Sequence, residues 1–338
     1  MRRLFINDSQ LPALFPMALG DPTSMTSGEV YGLANDANFD ASHLSEPLTE
    51  YMRGIPDTDG LQAMLDAIAP AVPVGRRFEY KQQNEKAILQ QDADDDGDIR
   101  EIGGDFKTVS SPGSKTDAAT DNKGLAIVLD NDQGGENTQV QQYYVSMLRN
   151  RLLRSDLKRT VALLTSNAVS SGTPNWGSAN AARDPDADLL TMVDESGDAR
   201  GINPNIVVIG GTAALRRKLA LRGSDKAGAF ASGMMSYEDL AELLEVDKVI
   251  PLRARYQSGA NAKSKIAGSI AFSYYAQQGV TKDDPSNIKR FVTMTTQGVF
   301  RVYIEPVLKR TKIAVEHYSR IIATSTVGIR SVAPTYTA

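Results

Sequence analysis

The densest run of ionisable chemistry is Asp92-Ala93-Asp94-Asp95-Asp96-Gly97-Asp98-Ile99. Carboxylates at loop positions 1, 3 and 5 (Asp92, Asp94 and Asp96), glycine at 6 and isoleucine at 8 match the start of a calcium loop. Position 12, which should supply a bidentate glutamate, is Gly103, with Glu101 and Asp105 two residues to either side. No flanking helices are predicted. The stretch reads as a solvated acidic hairpin tip, and Asp92, Asp94 and Asp96 stand as a calcium candidate lacking its last ligand.

Other candidates fall away in turn. The chain has no cysteine and two histidines, His43 and His317. Thiolate chemistry and Cys-based zinc or iron–sulfur sites are therefore out, as are most histidine-centred acid–base schemes. His317 alternates with Ile313 and Val315 on a strand pattern, which suits a satisfied structural histidine. No Gly-Lys dipeptide, G-x-S-x-G elbow or H-E-x-x-H helix occurs. The apolar run 206–209 leads into Gly210, Gly211 and Thr212, like a strand–glycine–helix anion site. It lacks the spaced glycines of a dinucleotide fingerprint and reads as a tight turn into a helix capped by Thr212. Arg149, Arg151, Arg154, Lys158 and Arg159 could touch phosphates, and the nearby Tyr143 and Tyr144 could stack bases. A solvated helix face, or the partner of an acidic neighbour, is the simpler reading. No catalytic residues and no cofactor are predicted.

The elements that would position these residues are unusual in length. The 338 residues, 41% hydrophobic and 23% charged, fit an ordinary globular composition. A net charge of −4 argues against a protein that holds nucleic acid by bulk positive charge. No secretory apolar core and no stretch of about 18 apolar residues is present, so no membrane partner is predicted. Residues 1–40 read as an extended arm, followed by short helices over 42–53 and 58–69, the second capped by Asp57 or Thr58. Residues 76–91 carry few apolar side chains and suggest an exposed strand, with 99–109 running back antiparallel. Sixteen such residues would reach about 50 Å at ~3.3 Å each, too long to be absorbed by one compact domain. The 136–168 segment has no glycine or proline and an apolar stripe at mostly helical steps. As one helix it spans about 50 Å at ~1.5 Å per residue. Its arginines exclude a membrane and its seam is too irregular for heptads, which leaves an elongated body.

Residues 169–203 read as a long loop, rich in Gly, Pro, Asn and Asp. A strand over 205–209 and helices over 212–221 and 236–245 follow, the last with Ser236 and Asp239 placed as a capping box. Strand patterns then occupy 247–256, 265–275, 290–297, 299–304, 311–318 and 320–332, with a turn at 283–287. Helices and strands mix without strict alternation, so the fold class is α+β.

This order of parts resembles the major capsid proteins of tailed phages, with the Hong Kong 97 (HK97-type) fold. The likeness is carried by 76–109, similar to the family's extended loop, and 136–168, similar to its spine helix. The 205–251 region resembles the axial domain, and 309–332 the closing strands of the peripheral domain. The resemblance implies an arm with short helices (1–73), an extended hairpin loop (74–128), a peripheral domain with the spine helix (129–203), a mainly axial region (204–308) and closing strands (309–338). It implies a structural protein that self-assembles, as pentamers and hexamers, into an icosahedral shell around phage double-stranded DNA. Packaged DNA would be touched loosely and without sequence preference. A separate scaffolding protein, a portal and a decoration protein are further implied partners, and the virion capsid, assembled in the host cytoplasm, is the implied location. Polar hairpin residues Arg76, Arg77, Lys81, Lys86, Glu101 and Lys107 become candidates for contacts between subunits. The alternatives are a cellular nanocompartment shell of the same fold, or a calcium-binding or enzymatic α/β protein.

Overall fold

The computed structural model describes residues 43–56, 60–82, 100, 102–105, 114–224, 228–277, 282, 284–294 and 298–337. Helix α1 (Glu46–Gly54) and helix α2 (Leu61–Ile68) come first. The N-cap of α2 is Gly60, at φ 62°. Asp57 and Thr58, the expected caps, lie outside the described residues. Strand β1 (Ala71–Pro73) leads into an antiparallel ribbon of β2 (Arg77–Gln82) and β3 (Ser114–Ala119). The described partner of β2 is thus 114–119; the expected return arm at 99–109 lies mostly outside the described residues. Strand β4 (Asp121–Asp130) carries the chain from the ribbon straight into a sheet.

Helix α3 (Thr138–Asn167) follows, 30 residues long. At ~1.5 Å per residue it spans about 45 Å. The Asn137 side chain caps it by accepting from the Gln139 amide at 2.9 Å. Strand β5 (Val169–Gly172) and helix α4 (Pro185–Arg200) occupy the region expected as a loop. Composition misled here. Asp184 caps α4 through the Ala187 amide, Pro185 opens it, and Gly201 ends it at φ 76°. Leu189, Met192, Ser196 and Arg200 form its buried stripe, a pattern diluted by polar neighbours.

Strand β6 (Ile206–Gly210), helix α5 (Gly211–Arg222), helix α6 (Ala229–Met234) and helix α7 (Tyr237–Leu243) come next. Ser236 and Asp239 form the expected capping box on α7. Strands β7 (Lys248–Leu252), β8 (Arg255–Gln257), β9 (Lys263–Lys265) and β10 (Ala271–Tyr274) replace the two longer strand patterns. Strand β11 (Ile288–Val292), β12 (Phe300–Val307), β13 (Arg310–Ala323) and β14 (Arg330–Val332) complete the chain. Here one 14-residue strand takes up the expected 311–318 pattern and the start of the next.

Two five-stranded sheets result. In the first, β13 is the spine. Its first half pairs β12 and its second half β11 on one edge, while β4 runs along the other. The second has the order β5-β14-β10-β6-β7. Strand β6 is buried at every position because both faces are covered: Ile206 and Val208 enter one core, Val207 and Ile209 the other. Helix α3 joins the two sheets. Val145, Leu148 and Leu152 in its first half pack on α1 and the first sheet. Leu153, Leu157, Val161 and Leu164 pack with α2 on the second. One helix therefore serves two cores, which is why its length exceeds what either requires.

Candidate interaction surfaces

A buried cluster of ionisable groups lies at the seam between α3 and the first sheet. Asp156 points into the sheet from α3 and is 1% exposed. Its Oδ1 accepts from Lys123 Nζ on β4 at 2.8 Å and from Arg159 at 2.8 Å. Its Oδ2 accepts from His317 Nε2 at 3.0 Å and Ser319 Oγ at 3.2 Å, both on β13. Burial by itself raises the Asp156 pKa, yet the His317 hydrogen bond and the Lys123 charge outweigh it and hold the carboxyl well below the usual range. Burial pushes the His317 pKa down, against the pull of Asp156. A neutral His317 must then carry its proton on Nε2, since a carboxylate can only accept.

Serine, histidine and aspartate are thus brought together, but not as a catalytic relay. Ser319 donates to Asp156 rather than to His317, and the imidazole is 1% exposed. A nucleophile needs its base within reach and a substrate beside both. The cluster instead ties α3 to β4 and β13. The sequence reading of His317 as structural agrees with this; Asp156 it missed. The available signal was a carboxylate on the apolar stripe, at i+4 from Leu152 and i+8 from Leu148.

The helix N-terminus after β6 is also accounted for internally. Gly210 and Gly211 amides donate to Ile270 and Ala267 carbonyls at 2.8 and 3.2 Å, and those of Thr212 and Ala213 donate to Gly268. A Cβ on Gly210 would collide with the same carbonyls, so the glycine permits a close backbone approach. The cap is Gly210 rather than Thr212, whose hydroxyl accepts from Lys265 at 2.9 Å. No amide is left for an anion at this turn.

The predicted contact residues are dispersed. Arg76 is buried in its own chain, its guanidinium 3.9 Å from the Tyr318 ring centre. Arg77 is exposed on β2, and Lys81 sits opposite Lys115 of β3. Lys115 reaches diagonally to Glu79 at 2.9 Å. Lys86, Glu101, Lys107 and the calcium candidates Asp92, Asp94 and Asp96 lie outside the described residues. Among the described residues no group of three or more potential metal-binding side chains occurs. The ribbon is not exposed on both faces as its sequence suggests: Tyr80 is buried, and Phe78 and Tyr80 pack on Phe291 at 4.4 and 5.6 Å between ring centres. That aromatic step anchors the ribbon's base to β11.

The basic residues of α3 divide between two environments. Arg149 is buried and Arg159 belongs to the Asp156 cluster. Arg151, Arg154 and Lys158 line an open cleft of about 770 Å³, closed on the other side by Arg253, Arg255 and Lys263 of the β7–β9 region. Leu61 and Met64 of α2 also line it, and Lys158 sits 4.0 Å from the Tyr256 ring centre. None of the described residues lining it is acidic.

No protein-family model matches the chain, and no curated protein is similar to it. Solved structures do match. An encapsulin complex from Synechococcus elongatus PCC 7942 aligns with a TM-score of 0.43 and 11% identity, over 98% of this chain and 96% of that one. The capsid of an empty GTA particle aligns at 0.47 and 13%, over 85% of this chain and 92% of that one. A phage-related protein from Bordetella bronchiseptica RB50 aligns at 0.63 and 12% identity, over 86% of this chain and 96% of that one. The chain therefore shares the α+β fold of that phage-related protein over most of its length.

Proposed function

We propose that this chain is a structural major capsid protein of a tailed phage, built on the HK97-type fold. It assembles with copies of itself into an icosahedral shell that encloses double-stranded DNA. The observation that carries this reading is the shared fold with a phage-related protein over nearly the whole of both chains. Physics is consistent with it. A ~45 Å helix that serves two cores suits a broad, thin subunit, and a ribbon whose described base packs on β11 suits an element that reaches a neighbour. Such a contact is heterologous, and heterologous contacts close into rings and shells.

On this reading, Arg77 and Lys81, together with Lys86, Glu101 and Lys107, make the contacts between subunits, each exposed pair contributing ~0–1 kcal/mol. Arg76 acts from within, holding the ribbon's start to Tyr318. The expected domain limits, with the hairpin loop over 74–128 and the axial region over 204–308, are part of the proposal. So are pentamers and hexamers as intermediates, a separate scaffolding protein, a portal, a decoration protein and a place in the virion.

The test is negative-stain electron microscopy of the purified protein, with light scattering on the same sample. Closed particles tens of nanometres across, or free pentamers and hexamers, are expected. A 36.5 kDa monomer that persists at high concentration and with crowding agent, with a protease-resistant 74–110 region, would overturn the reading.

A further inference from the structure

We propose that the cleft between α3 and the β8–β9 ribbon is a binding site for the sugar-phosphate backbone of DNA. Six cations line it and no described carboxylate does, in a chain whose 41 acidic residues outnumber its 37 basic ones. Positive charge is thus concentrated here against the sign of the whole molecule. Clefts of one charge sign focus the field and raise the local concentration of oppositely charged partners.

The layout suits a chain of phosphates better than one small anion. Arg151, Arg154 and Lys158 follow i, i+3, i+7 spacing, so they share one face of α3 over about 10 Å of helix. One DNA strand carries a phosphate per ~3.4 Å of duplex axis, so about three phosphates fall within that length measured along the axis. Arg253, Arg255 and Lys263 form the opposite wall. Arg253 is braced by the Tyr237 hydroxyl at 3.3 Å and Lys158 by the Tyr256 ring. Arg151, Arg255 and Lys263 are exposed, and among the described residues none has a hydrogen-bond or ion-pair partner. Four of the six cations are arginines, whose forked donors fit phosphate oxygens two at a time.

An extended acidic peptide fits less well, because successive side chains point to opposite faces and only alternate carboxylates would meet either wall. The acidic run Asp92–Asp98 of a second copy is nonetheless the competing occupant, and the test separates the two. The inference rests on the shell reading only for DNA as the polyanion that the protein meets.

The experiment measures fluorescence anisotropy of a labelled DNA duplex with the full-length, unassembled chain over a salt series. The variants are Arg151→Ala/Arg255→Ala/Lys263→Ala and, as a charge-matched control, Lys248→Ala/Lys309→Ala/Arg310→Ala on exposed sites elsewhere. Each lost phosphate contact lowers the slope of log affinity against log salt by about 0.9. The cleft variant should lose roughly two to three units of slope and bind at least tenfold more weakly at low salt, while the control keeps most of its affinity. Equal loss in both variants would overturn the proposal, by reducing the effect to general charge. So would an unaltered chain that does not bind the duplex but binds a labelled peptide of residues 90–99 through the cleft, with that binding lost in the cleft variant, which would assign the cleft to a contact between copies. Microscopy of both variants keeps the two readings apart: particles from the cleft variant with lost DNA binding support the site. Absence of particles from the unaltered chain would count against the shell reading alone.

Discussion

Two sites on one helix use the same residue types to opposite ends. On one side of α3, Asp156 is sealed under β4 and β13 with four donors around its two oxygens. On the other side, Arg151, Arg154 and Lys158 face an open cleft without a described carboxylate. A single basic stripe in the sequence is thus split by packing, with Arg159 reaching from the surface to the buried Asp156 and Lys158, its chain neighbour, on the cleft. Where charge is buried, every lone pair must be met or the fold loses stability. Where charge is exposed, it contributes little to stability and is available for binding.

The largest way to break this contrast is Asp156→Ala. It leaves Lys123 beside His317 without its hydrogen-bonded carboxylate, and should cost about 3–5 kcal/mol in urea-induced unfolding. A cost under about 1 kcal/mol would mean that the cluster is solvated rather than sealed.

Acid provides the next test, with its sign set by both groups. His317 has a lowered folded pKa, so below the unfolded value near 6.5 the unfolded chain binds a proton that the folded chain refuses. Stability should fall as pH drops from about 6.5, by at most ~1.4 kcal/mol per pH unit from this group. Asp156 is also depressed, so its contribution is intact above about 4 and is lost only as pH falls further. Thermal melting of His317→Phe should be lower throughout but flatter between pH 5 and 6.5. A slope unchanged by that substitution would place the acid sensitivity elsewhere.

Ser236→Ala calibrates a polar contact that a local pattern specifies. Loss of the α7 capping box should cost about 1 kcal/mol, seen as a shifted unfolding midpoint at unchanged slope. The smallest expected effect is that of the cleft triple variant Arg151→Ala/Arg255→Ala/Lys263→Ala, within about 0.5 kcal/mol of the unaltered chain. A loss above 2 kcal/mol would show that these cations hold the fold and not a ligand.

What could be read along the chain were features whose cause is local. Helix α3 was legible because 136–168 carries no breaker and keeps a 3.6-residue stripe, and α7 because Ser236 and Asp239 stand three apart. Missing was α4, whose Asp184-Pro185 start was outweighed by the Gly, Pro and Asn around it. The pairing of β2 with 114–119 was not legible, since ladder pairing joins residues 32 or more apart that no short window compares.

The sequence by itself determined most element types outside 169–203, the unusual length of α3 and the absence of cysteine chemistry, since propensity, periodicity and composition act within a few residues. Only the tertiary structure decided which charges were sealed and which were open. Lys123, Asp156 and His317 meet across sequence separations of 33 and 161 residues. Burial is a property of the space around a side chain, and that space is built by segments far away along the chain.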